Sequence, residues 1–421
     1  MLNELRSFLE NSYTSYHTVE NSAKILTDNG FVRLNFGEDW RNLSAGKYFV
    51  IFGASSVTAF VIGDTKNYSF NIAESHTDSP ALKLKGNCLV ESENYVRLNV
   101  EKYGGGILYS YLDRPLKVAG RLLVLEGEKV VSKIVTSNFF VTIPSLCIHH
   151  NPTVNEGFAF NVQTDMLPLL GEKNTDFISE LSGGSKVLDY DLYATVGEKS
   201  YLSGTEGEFL VSPRIDNLTS VFCSIEALTK CSPKGIAIAV CYDNEEIGSG
   251  TKEGASSQFL PMLLNKINSA LGHTTLQLQQ ALYNSFALSI DNGHAVHCAH
   301  PEKSDITNKV FMNKGVVIKH NVNYATDGES SAVFKKILID SNLLYQDYYN
   351  RSDIRCGGTQ GLLTSAQLAT RVCDIGLAQL AMHSAVEMVG ARDVETMASA
   401  IEKFFNTEIK QADYNCTEVT K

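Results

Sequence analysis

Three apolar runs of strand length in this chain end on acids or histidines instead of fading into turns. The longest, Gly235-Ile-Ala-Ile-Ala-Val-Cys-Tyr, lacks polar alternation, the pattern of a strand covered on both faces, and runs into Asp243, Glu245 and Glu246. Ser285-Phe-Ala-Leu-Ser-Ile delivers Asp291, and Ser69-Phe-Asn-Ile-Ala leads through Glu74 to His76 and Asp78. Open α/β sheets bind ligands just beyond the carboxyl ends of their strands, so these tips predict one shared crevice. Lys47 to Phe52, Thr58 to Gly63, Gly315 to Lys319 and Val372 to Gly376 read as further strands. Helical periodicity fills the intervals: Leu2 to Leu9, Val19 to Leu26 closed by Asn29-Gly30, Phe259 to Ile267, Leu362 to Ala369 and Val394 to Phe405. Another helix carries Leu218, Val221, Phe222, Ile225 and Leu228 on one face. The expected fold is α/β, a central mixed sheet flanked by helices.

From about residue 85 to 211 the pattern changes to alternating β segments and glycine turns, with Gly120 to Gly127 and Lys129 to Val135 as paired strands. This predicts a β-rich domain at 85–211 inserted into an α/β domain built from 1–84 plus 212–421. A length of 421 residues agrees with two cores. The net charge of −11 without any basic run excludes nucleic acid and an anionic membrane surface as partners and favours a small solute or peptide. No run of eighteen apolar residues occurs, and the opening Met1-Leu-Asn-Glu-Leu-Arg lacks the basic and apolar segments of an export signal. Nine cysteines, with no Cys-x-x-Cys pair, read as reduced and largely core residues. A soluble cytoplasmic protein is expected.

Each candidate for chemistry has a plainer reading. Asp216, just before an apolar-periodic segment, could be a helix cap. His383 sits among small and apolar residues, where a satisfied core histidine is the default, and nothing local makes His149 or His150 ligands. The glycines after Tyr103 lack a strand-to-helix context for phosphate and read as a crowded turn. Lys319 breaks an apolar strand and must find a polar partner or a ligand. Taken together, His76, Asp216, Glu246, Asp291 and His383 form a mixed nitrogen and oxygen set on separate element ends. Such a set suits two divalent ions sharing one carboxylate and a water, with Glu245 beside a ligand as general base.

In order and spacing, His76-Thr-Asp-Ser-Pro80, Tyr103-Gly-Gly-Gly106, Leu112-Asp-Arg-Pro115, Val154-Asn-Glu-Gly157, Ser212-Pro-Arg-Ile-Asp-Asn-Leu218, Glu245-Glu-Ile-Gly-Ser249, Asp374-Ile-Gly376 and Ala381-Met-His-Ser384 resemble the aspartyl aminopeptidase family of dinuclear zinc metallopeptidases. The resemblance implies a zinc-peptidase catalytic domain and an inserted domain used in assembly. It implies that Asp216 bridges two ions, that His76 and Asp291 bind one and Glu246 and His383 the other, that Asp78 orients His76, and that Glu245 is the base. It further implies that His149 reaches the active site of a neighbouring subunit, that His294 and Lys319 line the substrate site, and that dimers build a tetrahedral dodecamer. Cys298-Ala299 replaces the usual Pro-Asn after His297, which alters the nearby pocket wall.

The function so implied is removal of one N-terminal residue from peptides, with preference for Asp or Glu. Zinc is the implied metal, and cobalt or manganese suits the same ligands. The alternatives are a preference for neutral or hydrophobic residues, a deacylase acting on non-peptide amides, and a catalytically silent scaffold. An intact Glu245 beside a complete ligand set argues against the last.

Overall fold

The computed structural model describes residues 1–41, 43–65, 68–172 and 176–420. Its largest sheet has nine strands, in the order Val32–Arg33, Gly46–Phe52, Ser56–Ile62, Ile236–Tyr242, Phe70–His76, Phe286–Ile290, Arg371–Gly376, Val316–His320 and Tyr345–Tyr349. The four strands from 236–242 to 371–376 run parallel, and the strands on either side of this block are antiparallel to it. All residues of the 236–242, 70–76 and 286–290 strands are buried; 236–242 and 286–290 are almost wholly apolar, whereas 70–76 also buries Asn71, Glu74, Ser75 and His76. One face packs on the helices Leu2–Asn11, Ser15–Asp28, Ile215–Lys230, Gly328–Asp340 and Ala391–Phe405, around Phe222, Phe334 and Phe404. The other packs on Phe259–Ala270, Thr275–Tyr283 and Gly361–Leu368, around Phe60, Phe70 and Leu263. Each such fully buried Phe or Leu contributes roughly 1.5–3 kcal/mol. Among the described residues no helix is long and apolar enough to cross a membrane.

Register places the strand ends level. Tyr242 pairs with His76 and Ser289 with Glu74, so Asp291 leaves its strand beside His76. The parallel block therefore presents its carboxyl ends on one side of the sheet.

A second, antiparallel sheet has its own core around Leu98, Leu122 and Leu192 and uses Ala81–Ser92, Tyr95–Tyr103, Leu116–Glu126, Lys129–Thr136, Leu169–Glu172 and Val187–Val196. The composition change near residue 85 thus falls inside a strand that starts at Ala81. At the other end, Tyr201–Ser203 and Phe209–Ser212 do not join this sheet, although the sequence boundary at 211 would include them. They pair instead in a five-stranded sheet with Glu387–Gly390, Ala378–Leu380 and Gly293–His294, because Leu210 packs into the core of the nine-stranded body. The chain ends in a hairpin, Glu408–Asp413 with Cys416–Thr420, that periodicity did not signal. Of the nine cysteines, Cys88, Cys223, Cys231, Cys241 and Cys373 are buried, whereas Cys147, Cys298 and Cys416 are exposed.

Arg214 joins the second sheet to the first helix. Its buried guanidinium donates to Thr195 Oγ1 (3.2 Å) and Val196 O (2.8 Å) at the end of the second sheet and to Leu9 O (3.1 Å) of the first helix. Two residues later the chain reaches Asp216.

Candidate metal centre

The strand tips converge as register requires. His76, at the end of its strand, directs Nδ1 to Asp78 O (3.0 Å) and Asp78 Oδ1 (3.3 Å). That contact leaves Nε2 facing the crevice as a potential ligand atom. Around it lie Asp216 Oδ1 at 3.5 Å, Asp291 Oδ1 at 3.9 Å and Glu245 Oε2 at 3.9 Å. On the far side, His383 Nε2 lies 3.5 Å from Asp216 Oδ2 and 3.4 Å from Glu246 Oε1. Asp216 therefore offers one oxygen to each imidazole. Three groups could hold an ion: His76, Asp216 and Asp291; Asp216, Glu246 and His383, which shares Asp216 with the first; and His76, Glu245 and Glu246.

Asp216 is not used as a cap. Its backbone is non-helical within the first turn of the 215–230 helix, its Oδ1 has no hydrogen-bond donor, and its peptide bond to Asn217 is cis. Glu246 Oε1 is likewise buried without a donor. Two unpaired carboxylate oxygens removed from water are costly unless a cation takes them. Ligands at about 2.0–2.2 Å from a tetrahedral zinc lie on the order of 3.4 Å apart, close to the 3.4 and 3.5 Å separations around His383 and Asp216. The residues fit a pair of divalent ions.

The electrostatics make the same demand. Burial alone would raise Asp216, yet the imidazoles of His383 and His76 hold it well below the carboxylate range. Burial opposes protonation of His383, but Asp216 and Glu246 push it up to about 10. The cluster calls for positive charge, which protons supply and which metal ions binding to the same atoms would displace. Burial raises Glu245 to about 7, with Asp291, Asp78 and Asp216 adding to the effect and His76 opposing it.

Asp78 does more than orient His76. Its Oδ1 accepts from Glu245 N and its Oδ2 from Glu246 N, both at 3.2 Å, and Tyr103 Oη donates to Oδ2 at 2.7 Å. Tyr103 also accepts from Asn244 Nδ2 at 2.9 Å. The glycine turn that follows is crowded by the ligands themselves. A Cβ on Gly104, whose φ is +74°, would lie 3.2 Å from Glu246 Cβ, and one on Gly105 would lie 3.2 Å from His383 Nδ1. Sequence reasoning noted the crowding without its partner, gave Tyr103 no role of its own, and missed Glu387 altogether. Glu387 Oε2 accepts from Asp216 N (2.9 Å) and its Oε1 from His383 N (2.6 Å).

The remaining candidates divide. Lys319 is buried and already occupied: Nζ donates to Asp291 O (3.0 Å) and Asn292 O (3.2 Å), lies 3.5 Å from Asp291 Oδ2, and sits 4.9 Å from the Tyr324 ring centre. His294 is exposed on its short strand, within electrostatic reach of Lys319, Asp216, Asp291 and His383. His149 lies in an exposed turn of the second sheet's domain, and no ligand group among the described residues includes it.

Known proteins resemble this chain along nearly its whole length. The family model described as aminopeptidase I zinc metalloprotease (M18) matches residues 8–405. A probable M18 family aminopeptidase 2 of Clostridium novyi is 38% identical over 96% of this chain and 98% of its own length. Aspartyl aminopeptidase 1 of Schizosaccharomyces pombe is 34% identical over 94% and 93%. The structure of the S. cerevisiae mApe1 dodecamer superposes with a TM-score of 0.82 at 25% identity, covering 96% of each chain. This chain, with its paired ligand groups meeting at Asp216, belongs to the M18 family of zinc metalloproteases that includes the aminopeptidases.

Proposed function

We propose that this protein removes single residues from the N-termini of peptides, with preference for acidic ones, and that Glu245 is its general base. The observation that carries the reading is Asp216, whose two oxygens face the imidazoles of His76 and His383 separately, with Glu245 on the same edge. Two divalent ions, zinc foremost, held by His76 and Asp291 on one side, Glu246 and His383 on the other and Asp216 between, would acidify a shared water and polarise the scissile carbonyl. Glu245 takes the proton of the attacking water and returns it to the departing amine, a role that its place beside His76 Nε2 and Asp216 allows. Asp78 keeps that carboxylate in place through its backbone N–H.

The acidic preference rests on likeness to the aspartyl aminopeptidase of S. pombe, since the Lys319 ammonium already has internal partners. We further propose that residues 85–211, read as an inserted domain, mediate assembly of dimers into a tetrahedral dodecamer, in which His149 enters a neighbour's site. Likeness to the mApe1 dodecamer supports the assembly. We place the protein in the cytoplasm.

The test is a panel of aminoacyl amides and N-acyl amino acids, each with and without chelator. Chelator-sensitive cleavage of aspartyl and glutamyl amides ahead of leucyl ones is expected. Faster hydrolysis of N-acyl amino acids would make the protein a deacylase, and a leucyl preference would remove the acidic assignment alone.

A further inference from the structure

Five side chains make up the ligand set, yet the parallel strands position only some of their backbones. His76 ends a strand and Asp291 directly follows one. Asp216 and His383 have no such support. Asp216 has φ −79° and ψ 111°, non-helical values at the start of its helix, and His383 lies at φ +66°, a left-handed conformation uncommon for a residue with a side chain. Something else must fix them.

We infer that Glu387 is a positioning residue, a buried carboxylate that sets the bridging Asp216 and the ligand His383 at a fixed separation by accepting one backbone N–H from each. Glu387 is 2% exposed and opens the strand 387–390, where it pairs with Ser212 four residues before Asp216. Its two contacts, Asp216 N to Oε2 at 2.9 Å and His383 N to Oε1 at 2.6 Å, use one oxygen each. A carboxylate is rigid and planar, so the two N–H groups cannot move apart without losing one bond. From the opposite side His383 O accepts from Ile107 N at 2.8 Å, and Gly105 closes over the imidazole. Without Glu387, His383 would be free to leave its uncommon backbone conformation. Asp78 plays the corresponding part for the other pair by accepting from the backbones of Glu245 and Glu246. Two carboxylates outside the ligand set thus hold the backbones of Asp216, His383, Glu245 and Glu246.

This inference rests on the reading that Asp216 and His383 hold an ion, and the experiment keeps the two apart. Metal content and the rate of release to a chromophoric chelator are measured for the wild-type protein and for Glu387→Gln, together with the absorption spectrum of the cobalt-loaded forms. Gln keeps the size but turns an NH2 toward one of the two N–H groups. One of two ions should leave 10–100-fold faster, the loss typical of outer partners of metal ligands, with changed cobalt bands and a fall in kcat larger than any change in KM. In a His383→Ala background the same substitution should add little. If Glu387→Gln lowers the folded yield, Glu387→Asp, which keeps the charge but is too short to reach both N–H groups, is read in the same way. A wild-type protein that takes up fewer than two ions would overturn the reading of the centre. Two ions with release rates and cobalt bands unchanged by either substitution would overturn the role of Glu387.

Discussion

The carboxyl ends of the parallel strands and the stretch around His149 contrast sharply, though both carry residues expected in the active site. At the strand ends every ligand has a partner within this chain, and the His76, Asp216 and Glu246 side chains are almost fully removed from solvent. Around His149 the chain is exposed, and its neighbours include Leu146 and Phe158, 58% and 43% exposed, in an apolar groove with Tyr95, Ile143 and Val154. A contiguous apolar surface of this kind suits a protein partner. The ligand groups of the first region lie within one chain, whereas the proposed assembly gives the second its role in a neighbour's site.

The largest expected effect tests the first region. Glu245→Gln should keep both metal ions and lose 10²- to 10⁴-fold in kcat, the range of a general base. Near-normal turnover in a fully loaded variant would move that role elsewhere.

Next comes the joint between the regions. His17, in the second helix, is buried between Thr14 Oγ1 (2.8 Å) and Thr136 Oγ1 (2.9 Å) of the second sheet. Burial, and then the Arg214 charge, lower its pKa from 6.5 to about 4. The unfolded chain therefore takes up this proton first, so the contribution to stability is complete above about pH 6.5 and is lost as pH falls toward 4. The loss approaches roughly 3 kcal/mol. Urea unfolding of wild type and His17→Gln between pH 4 and 7 should show the two curves converging at low pH, and parallel curves would place the sensitivity in another group.

The second region is tested by His149→Ala. Losing one polar contact to substrate of about 1.4 kcal/mol should lower kcat/KM roughly tenfold without changing the assembled mass. Reassembly of His149→Ala chains with Glu245→Gln chains should recover activity, because an intact Glu245 then meets a neighbour's intact His149. Mixtures no better than their components would confine the site to one chain.

The smallest effect is expected at Lys319. Because its donors are used by Asp291 and Asn292, Lys319→Met should change the aspartyl to leucyl ratio of kcat/KM by less than about threefold, a difference of roughly 0.65 kcal/mol. Collapse of that ratio with both ions retained would show that the ammonium reads the substrate.

How much of this was legible depended on whether a long regular element carried the signal. The runs before Asp243 and Asp291 could be read because a strand buried on both faces is mostly apolar until it leaves the core. Lys319 was legible for the same reason, and the partner its burial required proved to be internal. His383 carried no comparable pattern, since a left-handed residue in an irregular loop obeys no periodicity. Glu387 was invisible because its contacts are to backbone N–H groups, which exist at nearly every position and leave no trace in residue type. The boundary at 211 includes Phe209–Val211 because a short apolar run reads the same whichever sheet receives it.

Arg214 sets how the molecule opens. One guanidinium holds the end of the second sheet and the first helix, and the backbone that carries it continues directly to Asp216. Breaking those bonds in the interior would leave several polar groups unsatisfied at once. In native-state hydrogen exchange the amides of Leu9, Val196 and Leu218 should therefore share one opening free energy and exchange as a single cooperative unit, despite their separation in sequence.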